Sequence, residues 1–184
     1  MPWQGGENLS IAIGQGYNLV TPLQMATLAS SVGNGGILYR PRVLKRVMDA
    51  EDRVLEKGEP EINGGIPAGR KTMELLKQGL LQVVQGKRGT ARRIRLEKVQ
   101  IAGKTGTAQV FSIKDRENLD MENLDYFLRD HAWFVCYAPA KDPVIAVSVL
   151  VEHGEHGSSA AAPIARAVVA KYLEKQGLLK TENQ

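Results

Sequence analysis

Two apolar segments, residues 132–138 and 144–151, with Pro139-Ala140-Lys141-Asp142-Pro143 between them, constrain the fold more than any other part of the sequence. Both are short and rich in β-branched and aromatic residues, and a five-residue connector with a proline at each end reads as a turn, so an antiparallel hairpin is expected. In the second strand Ile145, Val147, Val149 and Val151 fill one face, while Val144, Ala146 and Leu150 fill most of the other. A strand apolar on both faces has to be covered on both. Three segments have the helical spacing to do this. Thr21-Pro22 supplies an N-cap and a first-turn proline for a helix carrying Met25, Leu28, Ala29 and Val32, stopped by Gly33-Asn34-Gly35-Gly36. Met73, Leu76, Leu80, Val83 and Val84 mark one face of a second, ended by Gly86. The last covers residues 163–176, with Ile164, Val168 and Tyr172 beside Ala165, Val169 and Leu173 as its buried stripe and Gly177 after it. The expected class is α/β of the α+β type, an antiparallel sheet flanked by helices.

The remaining segments are read around that core. Residues 8–20 form an apolar run broken by Gly14 and Gly16, expected to be extended chain turning beside something important. Residues 37–57 read as a peripheral hairpin about the polar turn 49–52, and residues 58–69 as a loop. Gly89-Thr90-Ala91 opens a short turn bearing Arg92, Arg93 and Arg95, read as a solvated face. Residues 99–113 read as a strand interrupted by Gly103 and Gly106. The charged residues 114–130 read as a long loop or a solvated helical excursion, with gating of a neighbouring cleft and a plain insertion equally open.

A chain of 184 residues is enough for one core or a large piece of one domain. Its 24 Lys and Arg against 20 Asp and Glu are spread along the sequence rather than gathered in a patch, which speaks against a nucleic-acid partner. The one cysteine, Cys136, cannot form an internal disulfide and reads as a small buried hydrophobe. No stretch approaches the ~20 apolar residues of a membrane helix. His153-Gly154-Glu155-His156 invites a metal reading, but its glycines favour a loop rather than a metal site, and His131 reads as a packing or capping residue. No cofactor is implied.

The segment with most chemical content is Gly103-Lys104-Thr105-Gly106-Thr107-Ala108-Gln109 on the first strand. Lys-Thr-Gly is one of three motifs, with Ser-x-x-Lys and Ser-Asp-Asn, of serine enzymes acylated by penicillins. The sequence also holds Gly14-Gln15-Gly16-Tyr17, Thr21-Pro22-Leu23-Gln24-Met25-Ala26, Asn34-Gly35-Gly36, His131-Ala132-Trp133-Phe134 and Ala161-Ala162-Pro163-Ile164-Ala165. In this order the motifs resemble the C-terminal portion of class B penicillin-binding proteins, above all the elongation-type penicillin-binding protein 2 family. The physical logic is independent of the resemblance. Acyl transfer to a serine needs a cation for the substrate's carboxylate and N–H donors aimed at the developing oxyanion. Lys104 would supply the cation and Thr105 and Thr107 hydroxyls on a shared face. Gly106 would leave backbone bare for a peptide or β-lactam. The resemblance adds that the Thr107 amide is an oxyanion donor and that the substrate pairs along this strand.

Ser10, Ser30, Ser31, Ser112, Ser148, Ser158 and Ser159 are the serines; none has lysine three residues on or asparagine two residues on. The resemblance places those motifs upstream, so residues 1–184 are expected to be the C-terminal portion of a transpeptidase domain, inactive alone. It implies D,D-transpeptidation of peptidoglycan stem peptides in the parent protein, with β-lactams as mimics. It further implies a cytoplasmic-membrane anchor, a periplasmic or extracellular catalytic domain, and cell-wall elongation proteins as partners. A non-catalytic peptide-binding or sensor module of the same fold, or a β-lactamase or D,D-carboxypeptidase, stays open at this point.

Overall fold

A computed structural model describes residue 3 and residues 5–110 and 125–179. Within them, α1 is Gly5–Ala12, α2 Pro22–Gly33, β1 Ile37–Tyr39, β2 Arg46–Met48, β3 Val54–Lys57, β4 Ile62–Gly65, α3 Arg70–Gln85, β5 Ala102–Ala108, β6 His131–Ala138, β7 Ile145–Val151 and α4 Ala162–Lys175. Short 3-10 turns at Arg92–Ile94 and Tyr126–Leu128 and a π-helical turn at Gly157–Ala161 complete them.

The expected hairpin is present as β6 and β7, and β5 pairs antiparallel with β6 to give the order β5-β6-β7. Gly103 lies opposite Cys136, Thr107 opposite Ala132, and Cys136 opposite Val147. Both sheet faces are covered, as the two-sided apolar pattern requires. Ala102 and Tyr137 pack on Val32 of α2 and Met73 of α3. On the opposite face Phe134, Cys136 and Val147 pack with Ala165, Val169 and Leu173 of α4. Phe134, Val169 and Leu173 are wholly buried, each contributing roughly 1.5–3 kcal/mol of apolar burial.

Local signals set the ends of the helices that hold this sheet. Thr21 caps α2 by accepting from Gln24 N, and the Gln24 side chain accepts from Thr21 N, a reciprocal capping box with Pro22 inside the first turn. At the end of α3, Arg95 donates from Nε to Val84 O at 2.8 Å and from Nη2 to Gln85 O at 2.7 Å and Gly86 O at 2.8 Å. The expected solvated arginine face is thus partly a clamp on carbonyls that a helix C-terminus leaves unpaired. The amphipathic stripes are narrower than their sequence pattern. Leu28, Leu76, Ile164 and Val168 are exposed; α2 and α4 bury the small residues Ala29, Ala162 and Ala165 instead, and α3 buries Met73 and Val84.

Other segments differ from expectation. Residues 5–12 are helical rather than extended, and Gly14 and Gly16, both at φ +76°, turn the chain beyond them. The run looked extended because its apolar residues lack helical spacing, and α1 indeed buries none of its residues. The hairpin of residues 37–57 is β2–β3 alone; β1 pairs instead with β4, which forms inside the expected loop 58–69. The first sheet strand is Ala102–Ala108 within the expected 99–113, of which residues 111–113 lie outside the described residues, as do residues 114–124 of the charged segment.

Candidate active-site edge

β5 ends the strand order among the described residues, so its side away from β6 is an open sheet edge. Thr105 and Thr107 stand opposite Phe134 and Ala132 on the α4 face. Lys104, opposite Val135, starts on the α2/α3 face. Its ammonium nonetheless reaches round the edge, donating from Nζ to Thr105 O at 2.6 Å. Two residues on, Thr107 O accepts from Gln15 Nε2 at 3.1 Å. Backbone groups of alternate residues point the same way in an antiparallel strand. Hence Thr105 and Thr107 present their carbonyls, and with them their N–H groups, along one side of β5. A cation, two hydroxyls and outward backbone groups whose carbonyls are held by side chains rather than by a strand therefore gather along β5.

Each hydroxyl is held from outside the strand. Thr105 Oγ1 lies 3.2 Å from Thr90 Oγ1. When Thr90 donates, the Thr105 O–H is free to point outward to an anion. Thr107 Oγ1 donates to Glu155 O at 3.4 Å, a long bond that a stronger acceptor such as a carboxylate can replace cheaply.

Glu155 belongs to a turn under backbone strain. His153 at φ +56° and Glu155 at φ +60° both adopt the left-handed region, which costs a non-glycine residue roughly 1–2 kcal/mol. Three bonds hold the turn there. His153 N donates to His131 Nδ1 at 3.0 Å, His153 Nδ1 lies 3.1 Å from Arg129 O, and Glu155 N donates to Asp130 O at 2.8 Å. The chemistry fixes the tautomers: His131 Nδ1 accepts, and His153 Nδ1 carries its hydrogen. Tyr126 meets the His153 ring at a tilt and Phe127 meets it edge-on, at 5.0 Å and 5.7 Å between centroids.

Glycines set the strand against its neighbours. A Cβ on Gly103 would sit 2.6 Å from Val135 O and 2.8 Å from Phe134 Cζ, so the residue before Lys104 has no room for a side chain. Gly157 of the π-helical turn rides on the seam between β5 and β6, where a Cβ would meet Trp133 O at 2.1 Å and Gly106 O at 2.7 Å. The close backbone approach at Gly106 is thus also made by the chain's own Gly157. Among described ionisable groups near the strand, burial pushes the Cys136 thiol up to about 12 and raises the Tyr137 hydroxyl above its usual range. Both are neutral packing groups. A cavity of about 270 Å³ lined by Ala26, Thr27, Ser30, Tyr39, Arg40, Pro41 and Ala146 holds none of the candidate residues.

With this edge in place, comparison with known proteins is decisive. Residues 2–170 match the penicillin binding protein transpeptidase domain. The chain belongs to that family. Within the penicillin-binding transpeptidases, the peptidoglycan D,D-transpeptidase MrdA of Haemophilus influenzae is 40% identical over 181 residues, covering 95% of this chain and 27% of the relative. Among solved structures, PBP2 of Pseudomonas aeruginosa in complex with WCK 5153 superposes with a TM-score of 0.73 at 36% identity, covering 99% of this chain and 36% of that one. A PBP2 complex with MreC from Helicobacter pylori gives 0.69 at 30% identity, covering 97% of this chain and 29% of that one. The chain thus spans about a quarter of the length of the curated relative and about a third of the solved one. The fold is that of the penicillin-binding transpeptidases, mixed helices on an antiparallel sheet.

Lys104, Thr105, Gly106 and Thr107 all lie on β5, the strand that the sequence pointed to, with Lys104 and Thr107 exposed and Thr105 and Gly106 half-buried. Three further residues at the edge went unassigned. Gln15 was visible as a member of the Gly14-Gln15-Gly16-Tyr17 motif but with no role of its own, and Thr90 only as part of a turn. Glu155 acts through its backbone carbonyl, which no side-chain pattern reveals.

Proposed function

We propose that this chain is part of a peptidoglycan D,D-transpeptidase and forms the wall of the acyl-transfer site that grips the end of a stem peptide. The observation that carries this reading is the open β5 edge, where Lys104 Nζ, the Thr105 and Thr107 hydroxyls and alternate backbone groups share one side. A peptide adds there as a further strand, its backbone pairing with Thr105 and Thr107. Its terminal carboxylate meets the Lys104 ammonium and the two hydroxyls, and the Thr107 N–H stabilises the oxyanion that forms on the attacked carbonyl. β-Lactams occupy the same edge as substrate mimics.

The nucleophile belongs to an upstream part of the full-length protein, since no serine in residues 1–184 carries the Ser-x-x-Lys spacing. Its oxygen bonds to the substrate's carbonyl carbon, the peptide C–N bond breaks, and the serine's proton goes to the departing amine. The amine of a second stem peptide then takes the acyl group and regenerates the serine. That upstream part would also cover Leu9, Ile13, Leu19 and Leu23, which are 74%, 77%, 91% and 61% exposed. No helix among the described residues is long and apolar enough to cross a membrane. The anchor, the periplasmic placement and the elongation partners are inferred from the MrdA relatives and the MreC complex.

Labelled penicillin tests the reading. It should acylate the full-length protein and leave no adduct on residues 1–184 after denaturation. In the full-length protein Lys104→Ala should slow acylation about a hundredfold or more with the thermal transition unchanged. Near-normal acylation of that variant would remove Lys104 from the site.

A further inference from the structure

The Gly14-Gln15-Gly16 turn lies 92 positions from β5 in sequence, yet the Gln15 side chain is bonded directly to the strand's outer carbonyl at Thr107, 3.1 Å away. The turn is built to present that side chain. Gly14 and Gly16 both take φ +76°, and Gly14 N and Gln15 N donate to Ile11 O and Ser10 O at 2.9 Å each. Gln15 is half-buried while Ile13, Gly14, Gly16 and Tyr17 are exposed, so the turn meets the sheet through this residue. We propose that Gln15 competes with the incoming substrate strand: its amide occupies the Thr107 carbonyl in the free protein, and a ligand N–H directed there displaces it.

The inference rests on the proposed use of the β5 edge for peptide docking. Strand addition requires both the N–H and the C=O of alternate residues. Both outer carbonyls are already taken, Thr105 O by Lys104 Nζ and Thr107 O by Gln15 Nε2. The Lys104 contact is between neighbours and travels with the strand, whereas the Gln15 contact ties in a separate turn. A ligand that donates an N–H to Thr107 O must replace the Gln15 bond, and a ligand with no such N–H leaves it intact. Gln15 thereby lowers the advantage that an amide-bearing ligand would otherwise enjoy, and is a specificity-determining residue.

The test compares, in the full-length protein, second-order acylation by penicillin G, whose acylamino group carries an N–H, with that by penicillanic acid, the same bicycle with hydrogen in place of the acylamino group. Gln15→Ala and Gln15→Met both remove the donor, and Met keeps the length. In each, the ratio of the penicillin G rate to the penicillanic acid rate should rise roughly two- to tenfold, the worth of one net hydrogen bond. An unchanged or lower ratio in Gln15→Met, with its thermal transition at the wild-type position, overturns the proposal. If Gln15→Ala melts early, Gln15→Met decides, and should both melt early the ratio still decides, because a loosened fold slows both ligands alike. Lys104→Ala in the same assay separates the two levels. Its indifference would defeat the reading of the edge itself, whereas loss of acylation there with an unmoved ratio in the Gln15 variants would defeat only the role of Gln15.

Discussion

Gly157→Ala is the smallest change that should disturb the whole candidate edge. The added methyl would lie 2.1 Å from Trp133 O, 2.7 Å from Gly106 O and 3.1 Å from Gly106 N, all backbone atoms of the paired strands. Ordinary contact begins at 3.4 Å, so the π-helical turn and the β5–β6 seam must part by about 1.3 Å. No side chain can swing away to make that room, and the clash falls at the position between Thr105 and Thr107. Overpacking of this kind costs about 3 kcal/mol, which for a chain of this size lowers the melting temperature by roughly 6–12 °C. Gly79→Ala is the matched control. The same methyl there, within α3, meets nothing within 4 Å and removes glycine's helix penalty, a gain of about 0.5–1 kcal/mol. Differential scanning calorimetry on the purified variants reads the stability, and amide exchange at residues 105–107 reads the strand. A Gly157→Ala protein melting within about 2 °C of wild type, with unchanged exchange at those amides, would refute the claim that Gly157 holds the strand in place.

Two further outcomes follow from the same structure. Arg95→Ala strips three hydrogen bonds from the C-terminal carbonyls of α3; it should cost about 1–2 kcal/mol by urea denaturation, with Arg95→Lys failing to restore it because an ammonium lacks the guanidinium fork. Cys136, held neutral by burial with its thiol at about 12, should resist a disulfide reagent at pH 8 in the folded protein and react fully in denaturant. Because the fold keeps a proton that the unfolded chain releases, stability should be level below the ordinary thiol range and fall as pH rises from there toward 12. Native-state labelling at the denatured rate would contradict the packing described for β6.

The sheet, its coverage on both faces and the strand bearing Lys104 could all be read from residue order alone. Alternation in Val144–Val151, the proline-bounded turn and the Thr21–Gln24 capping box act over a few residues, where side-chain type and backbone geometry are directly linked. The helix at residues 5–12, the β1–β4 pairing and the exposure of Ile164 and Val168 could not be read in this way. The exposure of Ile164 and Val168 depends on which distant surface arrives, the β1–β4 pairing is a backbone ladder between distant segments, and α1 buries no residue, so no periodic stripe announces it. The same division runs through the site. Lys104 to Thr107 formed a contiguous motif, but Gln15 on Thr107, Thr90 on Thr105 and the Glu155 carbonyl beneath Thr107 join segments 92, 15 and 48 residues apart. Hydrogen bonds of that span exist only once the chain has closed on itself. Sequence therefore determined which groups could grip an anion, and tertiary structure decided where those groups point and which neighbours hold them before a ligand arrives.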